Sequence, residues 1–286
     1  ASDVYKRQAH ETYIKNYHEE VNAIIDNADK LKKYSIFNKA GSFSYANILQ
    51  TARDFERVKN VILPEDEYKG VQAYTTYYYQ YFFTMLVMMF VIYDMFAQRD
   101  NGMWSITYSC ANGRIMYAIK QTGVIVVTGA FTHTLIYWST FIAAMLQRGG
   151  VRDLVNPVQT IETFDKFTYP WSKIKYVTVL YMISMVCIVA LCITIWGVFV
   201  IFRNRVYALV TMLIFAAVEQ FIYSHIDIHS VWNGLHYINI INIININATF
   251  SSYRNWGVGT YVFPVFSVVL FVHIICAGVI GYIAIN

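Results

Sequence analysis

The ionisable residues of VEQFIYSHIDIH, residues 218–229, are the first candidates for chemistry because they lie in or beside an apolar run. His225 and His229 are four residues apart, so on a helix they share one face, and such a pair can bind Zn²⁺. A zinc hydrolase also needs a carboxylate base, and the motif H-E-x-x-H does not occur in the sequence. Histidines at the mouth of a helix are the better interpretation. We therefore predict no catalytic residue, no metal and no cofactor.

Glu219 and His133 lie well inside apolar segments and form a candidate intramembrane polar site. An ionisable residue in a membrane span is a functional candidate by default. We expect Glu219 to pair with an inward-facing partner or to line a conduit. Threonines surround His133, so interhelical hydrogen bonding is the better interpretation there.

The segment AQRDNGMWSITYSCANGRIMYAIKQ, called here the 97–121 loop, separates two apolar stretches. A connector needs only a few residues, as Arg203-Asn204-Arg205 shows in the same chain. Met103, Trp104, Ile106 and Tyr108 could supply apolar anchors, and Arg99, Asp100 and Arg114 a charged rim, for a docking element. From the residues alone, a connector whose aromatic side chains lie among lipid headgroups is the better interpretation, and the family resemblance given below favours docking instead.

The composition predicts a membrane protein. Hydrophobic residues make up 57% of the chain and charged residues 14%, whereas soluble domains carry about 25% charged residues. The net charge of +4 is modest and no basic run is present, so we expect no nucleic-acid partner. The motif G-x-x-x-x-G-K-[ST] is absent, so the chain is not itself an ATPase of that class.

A membrane-spanning helix needs about 20 mostly apolar residues. The segments that satisfy this length lie at about 74–97, 119–146, 174–202, 206–226 and 261–285. The predicted fold class is therefore all-α, a polytopic membrane helical bundle. Between the last two of these segments, residues 238–248 consist mainly of Asn and Ile, which predicts a re-entrant or interfacial segment.

Residues 9–73 differ from the rest of the chain because charges are dense there. Apolar residues recur at helical spacing in two stripes, which predicts two amphipathic helices forming a small domain outside the bilayer. The stripes are Tyr13, Tyr17, Val21, Ile24, Ile25, Ala28 and Leu31, and then Ile48, Leu49, Ala52, Phe55, Val58 and Ile62. Residues 1–8, ASDVYKRQ, resemble a translated sequencing-adapter scar, and we expect them to be non-native.

Three stretches together resemble the permease subunit of bacterial ABC-2 type exporters. They are the 97–121 loop, VFVIFRNRVYALV at 198–210, and LHYINIINIININATFSSYRNW at 235–256. The resemblance covers roughly 75–286. The family's first helix is absent, so the resemblance implies truncation at the N-terminus and six spans in the full protein. The family also often has Glu where this chain has Asp100.

The resemblance implies a function in which a separate ATPase drives the export of an amphipathic substrate, such as a peptide antibiotic, a drug or a lipid-like molecule. It places the 97–121 loop in the cytoplasm as the element that couples to the ATPase, and residues 9–73 outside the cytoplasm. Its partners would be an ABC ATPase subunit and a second copy or sister permease in the bacterial cell membrane. The implied coupling residues are Arg99, Asp100, Gly102, Met103, Trp104, Gly113, Arg114 and Lys120.

The alternative from another class is an integral-membrane enzyme, or an accessory membrane sensor whose extracytoplasmic domain binds a ligand. A neighbouring reading frame for a P-loop ATPase would favour the exporter. A neighbouring histidine kinase or processing substrate, without an ATPase, would favour the alternative.

Overall fold

A computed structural model of the chain describes residues 2–34, 39, 41–64, 69–76, 79–109, 113–202, 204–226 and 234–285. The described chain is mostly helical, with one β-hairpin. Its α-helices are α1 Ser2–Leu31, α2 Phe43–Glu56, α3 Gly70–Thr76, α4 Tyr79–Met95, α5 Ala97–Asp100, α6 Met103–Tyr108, α7 Gly113–Arg148, α8 Lys173–Ile201, α9 Arg205–His225, α10 Gly234–Ile238, α11 Ile241–Ile244, α12 Ile246–Ser251 and α13 Val265–Ile285. Three short 3₁₀ helices lie at Val151–Val155, Val158–Thr160 and Glu162–Phe164, and the strands are β1 Asn255–Val258 and β2 Tyr261–Pro264.

Within the described residues, five helical segments are long and apolar enough to cross a membrane, as the sequence predicted. They are Tyr81–Arg99, Ile115–Arg148, Lys173–Ile201, Arg205–His225 and Val265–Ile285. The chain is therefore a multi-pass helical membrane protein. The last span begins four residues later than predicted because residues 261–264 pair with β1 instead.

The described chain divides into two compact units, and the first contains Ala1–Thr76, Ala143–Leu180 and Asn247–Val268. Both helices predicted for residues 9–73 are present as α1 and α2, and they pack against each other. Their shared core consists of Tyr17, Val21, Phe55, Val58 and Leu63. Two residues of the predicted apolar stripes are not buried, since Ile62 is 83% exposed and Leu31 lies at the surface. Leu63 takes the buried place instead, because α2 ends at Glu56 and the helical period does not continue.

The hairpin of β1 and β2 packs against α2 in the first unit and was not predicted. Gly259 occupies its turn with φ +61°, a conformation that favours glycine. A Cβ at Gly257 would lie 1.9 Å from the carbonyl oxygen of Tyr261 and 3.0 Å from the Phe43 ring. The glycines therefore permit both the turn and the close approach of the hairpin to α2.

The second unit contains Tyr77–Ile142, Tyr181–Ile246 and Val269–Asn286. Its interior is apolar and includes Met88, Ile92, Ile125, Cys187, Leu191, Ile195 and Phe199, all 2% exposed or less. Gly129 lets α7 approach α8, because a Cβ there would lie 2.6 Å from Cys192 Sγ. Small residues at helix contacts of this kind are typical of membrane helix packing.

Gly197→Ala should destabilise the protein by about 1–3 kcal/mol, the usual cost of adding a methyl group to a packed interior. A Cβ at Gly197 would lie 2.4 Å from Ile280 Cγ2, so α8 and α13 would have to move apart. Thermal unfolding in detergent checks this prediction. Gly278→Ala is the matched control, because a Cβ at that helical position meets nothing within 4 Å. Equal melting temperatures for the two variants would contradict the packing described here.

Candidate functional site

Arg99 joins the 97–121 loop to the end of α8. Its Nη1 donates hydrogen bonds to the carbonyl oxygens of Phe199, at 2.9 Å, and Phe202, at 2.7 Å. The last carbonyls of a helix have no partner within the helix and carry partial negative charge. The guanidinium of Arg99 therefore caps the C-terminus of α8 from a neighbouring part of the chain.

Aromatic rings hold the Arg99 side chain in this position. Its guanidinium carbon lies 4.9 Å from the centroid of the Phe96 ring and 5.4 Å from that of Trp104. Both are within the range of a cation–π interaction. Phe96 also contacts Phe199, with ring centroids 5.6 Å apart. The end of α4, the loop and the end of α8 therefore form one packed cluster.

Trp104 is 8% exposed, although the sequence suggested an exposed anchor. Its ring packs against Phe96 at 5.1 Å and against Tyr117 of α7 at 5.4 Å. A helix of six residues has little stability of its own. Trp104 thus fixes α6 to the ends of α4 and α7, and the ring itself is not presented to a partner.

The remaining coupling residues take different places. Gly102 has φ +75° and forms the turn between α5 and α6, and Gly113 begins α7. Lys120 is exposed on α7. The side chains of Asp100, Met103 and Arg114 lie outside the described part of the structure.

Ile106, one of the apolar anchors that the sequence offered, is exposed among the side chains of α6 that the structure describes. It is 72% exposed, while Trp104 two residues earlier is buried. The helical period alone does not reveal which side of so short a helix is covered. Of these two predicted anchors, Ile106 and not Trp104 is therefore the candidate docking residue.

A further contact joins this region to α9. The Arg205 guanidinium carbon lies 4.6 Å from the centroid of the Tyr93 ring in α4. Asn204 caps the N-terminus of α9, its Oδ1 accepting a hydrogen bond from the Val206 N–H at 2.8 Å. The turn around residue 204 and the loop thus contact the same end of α4. Displacement of the loop would act on α4, α7 and α8 together.

Glu219 is half-buried on α9 and binds the Asn-rich segment. Its Oε2 accepts a hydrogen bond from the Ile240 N–H at 3.2 Å, and its carbonyl oxygen accepts one from Asn239 Nδ2 at 2.8 Å. Asn239 is 1% exposed. The inward-facing partner expected for Glu219 is therefore the break between α10 and α11.

The segment from residue 238 to 248 forms parts of three short helices rather than one continuous one. Its asparagines are buried, namely Asn239, Asn242, Asn245 and Asn247. Asn239 Oδ1 accepts a hydrogen bond from the Ile241 N–H at 2.8 Å. Asn247 Nδ2 donates to the carbonyl oxygen of Thr75, and its Oδ1 accepts from Tyr176 Oη at 2.6 Å. Side chains thus satisfy backbone groups that a broken helix leaves free.

His133 is fully buried and makes the interhelical hydrogen bond that the sequence favoured. Its Nε2 lies 2.8 Å from Ser184 Oγ, and Ser184 Oγ donates its proton to the Tyr181 carbonyl oxygen at 2.7 Å. The rings of Tyr81 and Tyr181 stack on the imidazole at 5.4 and 6.2 Å. The structure does not bring His133 and Glu219 together as one site.

The histidine pair of the metal hypothesis is only partly described. His225 Nδ1 donates to the Phe221 carbonyl oxygen at 2.9 Å, and His229 lies outside the described residues. Among the residues that the structure describes, no three His, Cys, Asp or Glu side chains are grouped to hold a metal.

Comparison with known proteins provides no relative for this arrangement. A scan against protein-family models, a search of curated proteins and a search of solved structures each return no match.

Proposed function

We propose that this chain is the permease subunit of an ATP-driven exporter of the ABC-2 type in a bacterial cell membrane. The observation that carries the proposal is the clamp of Arg99 on the end of α8. A permease must convert the movement of a cytosolic ATPase into movement of its spans. That conversion requires a short rigid element fixed to several helices at once, because packed elements move as rigid bodies.

In this proposal Ile106 of α6 docks on the ATPase, and the buried Trp104 transmits the displacement. A central apolar anchor with a charged surround is typical of protein interfaces. The loop also carries Lys120, whose exposed cation on α7 is available for such a surround. Two ATPase chains and a second permease chain, the same or a sister, would complete the exporter.

The Asn-rich segment and Glu219 would form the polar part of the substrate path. Discontinuous helices at membrane depth are tolerated where they line a cavity or are buried in protein, and transporters use them to bind polar groups. Buried amides next to apolar helices would suit an amphipathic substrate. The chain itself would carry out no catalysis.

Ile106→Asp should lower the amount of co-purified P-loop ATPase at least tenfold. The substituted carboxylate would have to be desolvated in an apolar docking pocket, which costs more than the ~1.4 kcal/mol that a tenfold change represents. The measurement is affinity purification of the tagged chain from its host membrane in mild detergent, with mass-spectrometric quantification.

Ile62→Asp serves as the control for this prediction, because Ile62 is equally apolar and 83% exposed but lies in the segment after α2. Equal recovery of the ATPase with both variants would contradict docking at α6. Recovery of no ATPase with the unaltered chain would contradict the exporter itself.

A further inference from the structure

The first unit contains a cleft that the proposed function does not use. Its enclosed volume is about 30 Å³, room for about two water molecules, so an occupant would bind across the open mouth of the cleft. The floor is aromatic. Phe250 contacts Phe167 at 5.7 Å and Phe266 at 4.9 Å between ring centroids, and Phe167 and Phe250 are almost fully buried.

The cleft lies where α13 begins. Pro264 and Phe266 line it, and Val265 is the first residue of a candidate span. Tyr169, which also lines it, stacks on Trp171 at 4.8 Å, and Lys175 Nζ lies 5.1 Å from the Trp171 ring centroid. Tyr, Trp and Lys concentrate at the level of lipid headgroups. A lipid of the surrounding membrane can therefore reach this cleft with its headgroup.

Neighbouring side chains already compensate the negative charge of Asp54, the acidic residue in the cleft wall. Asp54 lies 3.2 Å from Arg57 Nη1 and accepts hydrogen bonds from Gln50 Nε2 at 2.9 Å and Tyr253 Oη at 3.0 Å. Burial raises the pKa of Tyr253 to about 12, so its hydroxyl stays protonated and donates to Asp54 at neutral pH. Asn255 Nδ2 donates to the same hydroxyl at 3.1 Å. Because the Asp54 charge is compensated, this wall has little negative charge left with which to attract a cation.

Two cations remain at the rim. Lys166 and Arg254 both line the cleft and both are exposed. The acid next to Lys166 in sequence, Asp165, accepts a hydrogen bond from the Lys166 backbone N–H and does not line the cleft. A group bound there would meet an excess of positive charge above an apolar floor.

We propose that this cleft binds the anionic headgroup of a membrane amphiphile, with phosphate or carboxylate oxygens on Lys166 and Arg254 and apolar atoms on the half-buried Phe266 ring. Charged oxygen acceptors form the strongest hydrogen bonds with such cations. The aromatic floor distinguishes an amphiphile from a free anion, because a free phosphate gains nothing from apolar surface. The inference does not depend on the proposed function, since it concerns the isolated chain.

The test is lipid titration of the purified full chain in detergent, followed by native mass spectrometry. Dioleoyl phosphatidylglycerol should bind more tightly than dioleoyl phosphatidylcholine. The double variant Lys166→Gln/Arg254→Gln should weaken phosphatidylglycerol binding at least about tenfold, because a basic residue near the membrane surface contributes ~1 kcal/mol to binding of anionic lipid. The matched control is Lys59→Gln/Arg152→Gln, which removes two exposed cations of the same unit that do not line the cleft.

Three outcomes would overturn the inference. They are equal binding of the two lipids, an equal loss in the control double variant, and binding of inorganic phosphate as tight as that of phosphatidylglycerol with the same dependence on Lys166 and Arg254. Phe266→Ala adds a second readout. It should weaken phosphatidylglycerol binding and leave inorganic phosphate binding unchanged, and the reverse pattern would contradict the aromatic floor. None of these measurements requires an ATPase, so they fail or succeed separately from the exporter proposal.

Discussion

Lys173→Met is expected to destabilise the protein by about 3–5 kcal/mol, the usual cost of leaving one member of a buried ion pair without its partner. Lys173 Nζ lies 2.5 Å from Asp153 Oδ1, and the two side chains are 2% and 0% exposed. The pair joins the first 3₁₀ helix to the start of α8. Asn156 Nδ2 donates to the same carboxylate oxygen at 3.3 Å, which is too little to stabilise a buried charge alone.

Thermal unfolding in detergent, followed by tryptophan fluorescence, measures this effect. Lys175→Met is the control, because Lys175 lies two residues away on α8 and is exposed. The double variant Lys173→Met/Asp153→Asn should recover at least half of the lost stability, since it leaves no unpaired charge. If Lys173→Met and Lys175→Met have the same melting temperature, the Lys173–Asp153 ion pair does not stabilise the start of α8.

Arg99→Gln is expected to release the 97–121 loop from α8. Two charge-assisted hydrogen bonds to the Phe199 and Phe202 carbonyls are lost, and bonds of this kind contribute about 1.5–3 kcal/mol each. Local opening should therefore increase, and amide hydrogen exchange across residues 97–108 should accelerate by at least about tenfold. If the exporter proposal holds, ATP hydrolysis should continue while export falls.

Arg99→Lys should show an intermediate effect, because a lysine carries the charge but lacks the planar donor fork. Lys120→Gln is the matched control, since it removes a cation from the same loop at an exposed position. Exchange rates in Arg99→Gln that equal those in Lys120→Gln would contradict the clamp.

The spans could be predicted from sequence because each is a long apolar run. The core of α1 and α2 followed in the same way from helical spacing, with Tyr17, Val21 and Phe55 buried as predicted. The prediction failed where the helical period stops. At residues 261–264 an apolar stretch reads equally well as helix or strand, and the turn at Gly259 decides between them.

The site was harder to predict because its contacts join distant parts of the chain. Arg99 looked like a surface charge, yet it reaches carbonyls about a hundred residues away. Trp104 looked exposed because its partners, Phe96 and Tyr117, enclose it only once α4 and α7 are packed. Asp153 and Lys173 are 20 residues apart across irregular chain, and no local pattern pairs them. The asparagines among the isoleucines of residues 238–248 predicted a re-entrant or interfacial segment, and the structure forms short helices there.

The central claim is that α6 is the surface where an ATPase docks, and site-specific photocrosslinking tests it most directly. A photoreactive amino acid at position 106 should capture a chain that carries a P-loop motif, identified by mass spectrometry after crosslinking in the host membrane. The same probe at position 62, a comparably exposed isoleucine, should not capture that chain. Capture of a P-loop ATPase from position 106 alone is the predicted result. Capture from neither position, or equally from both, would contradict the account.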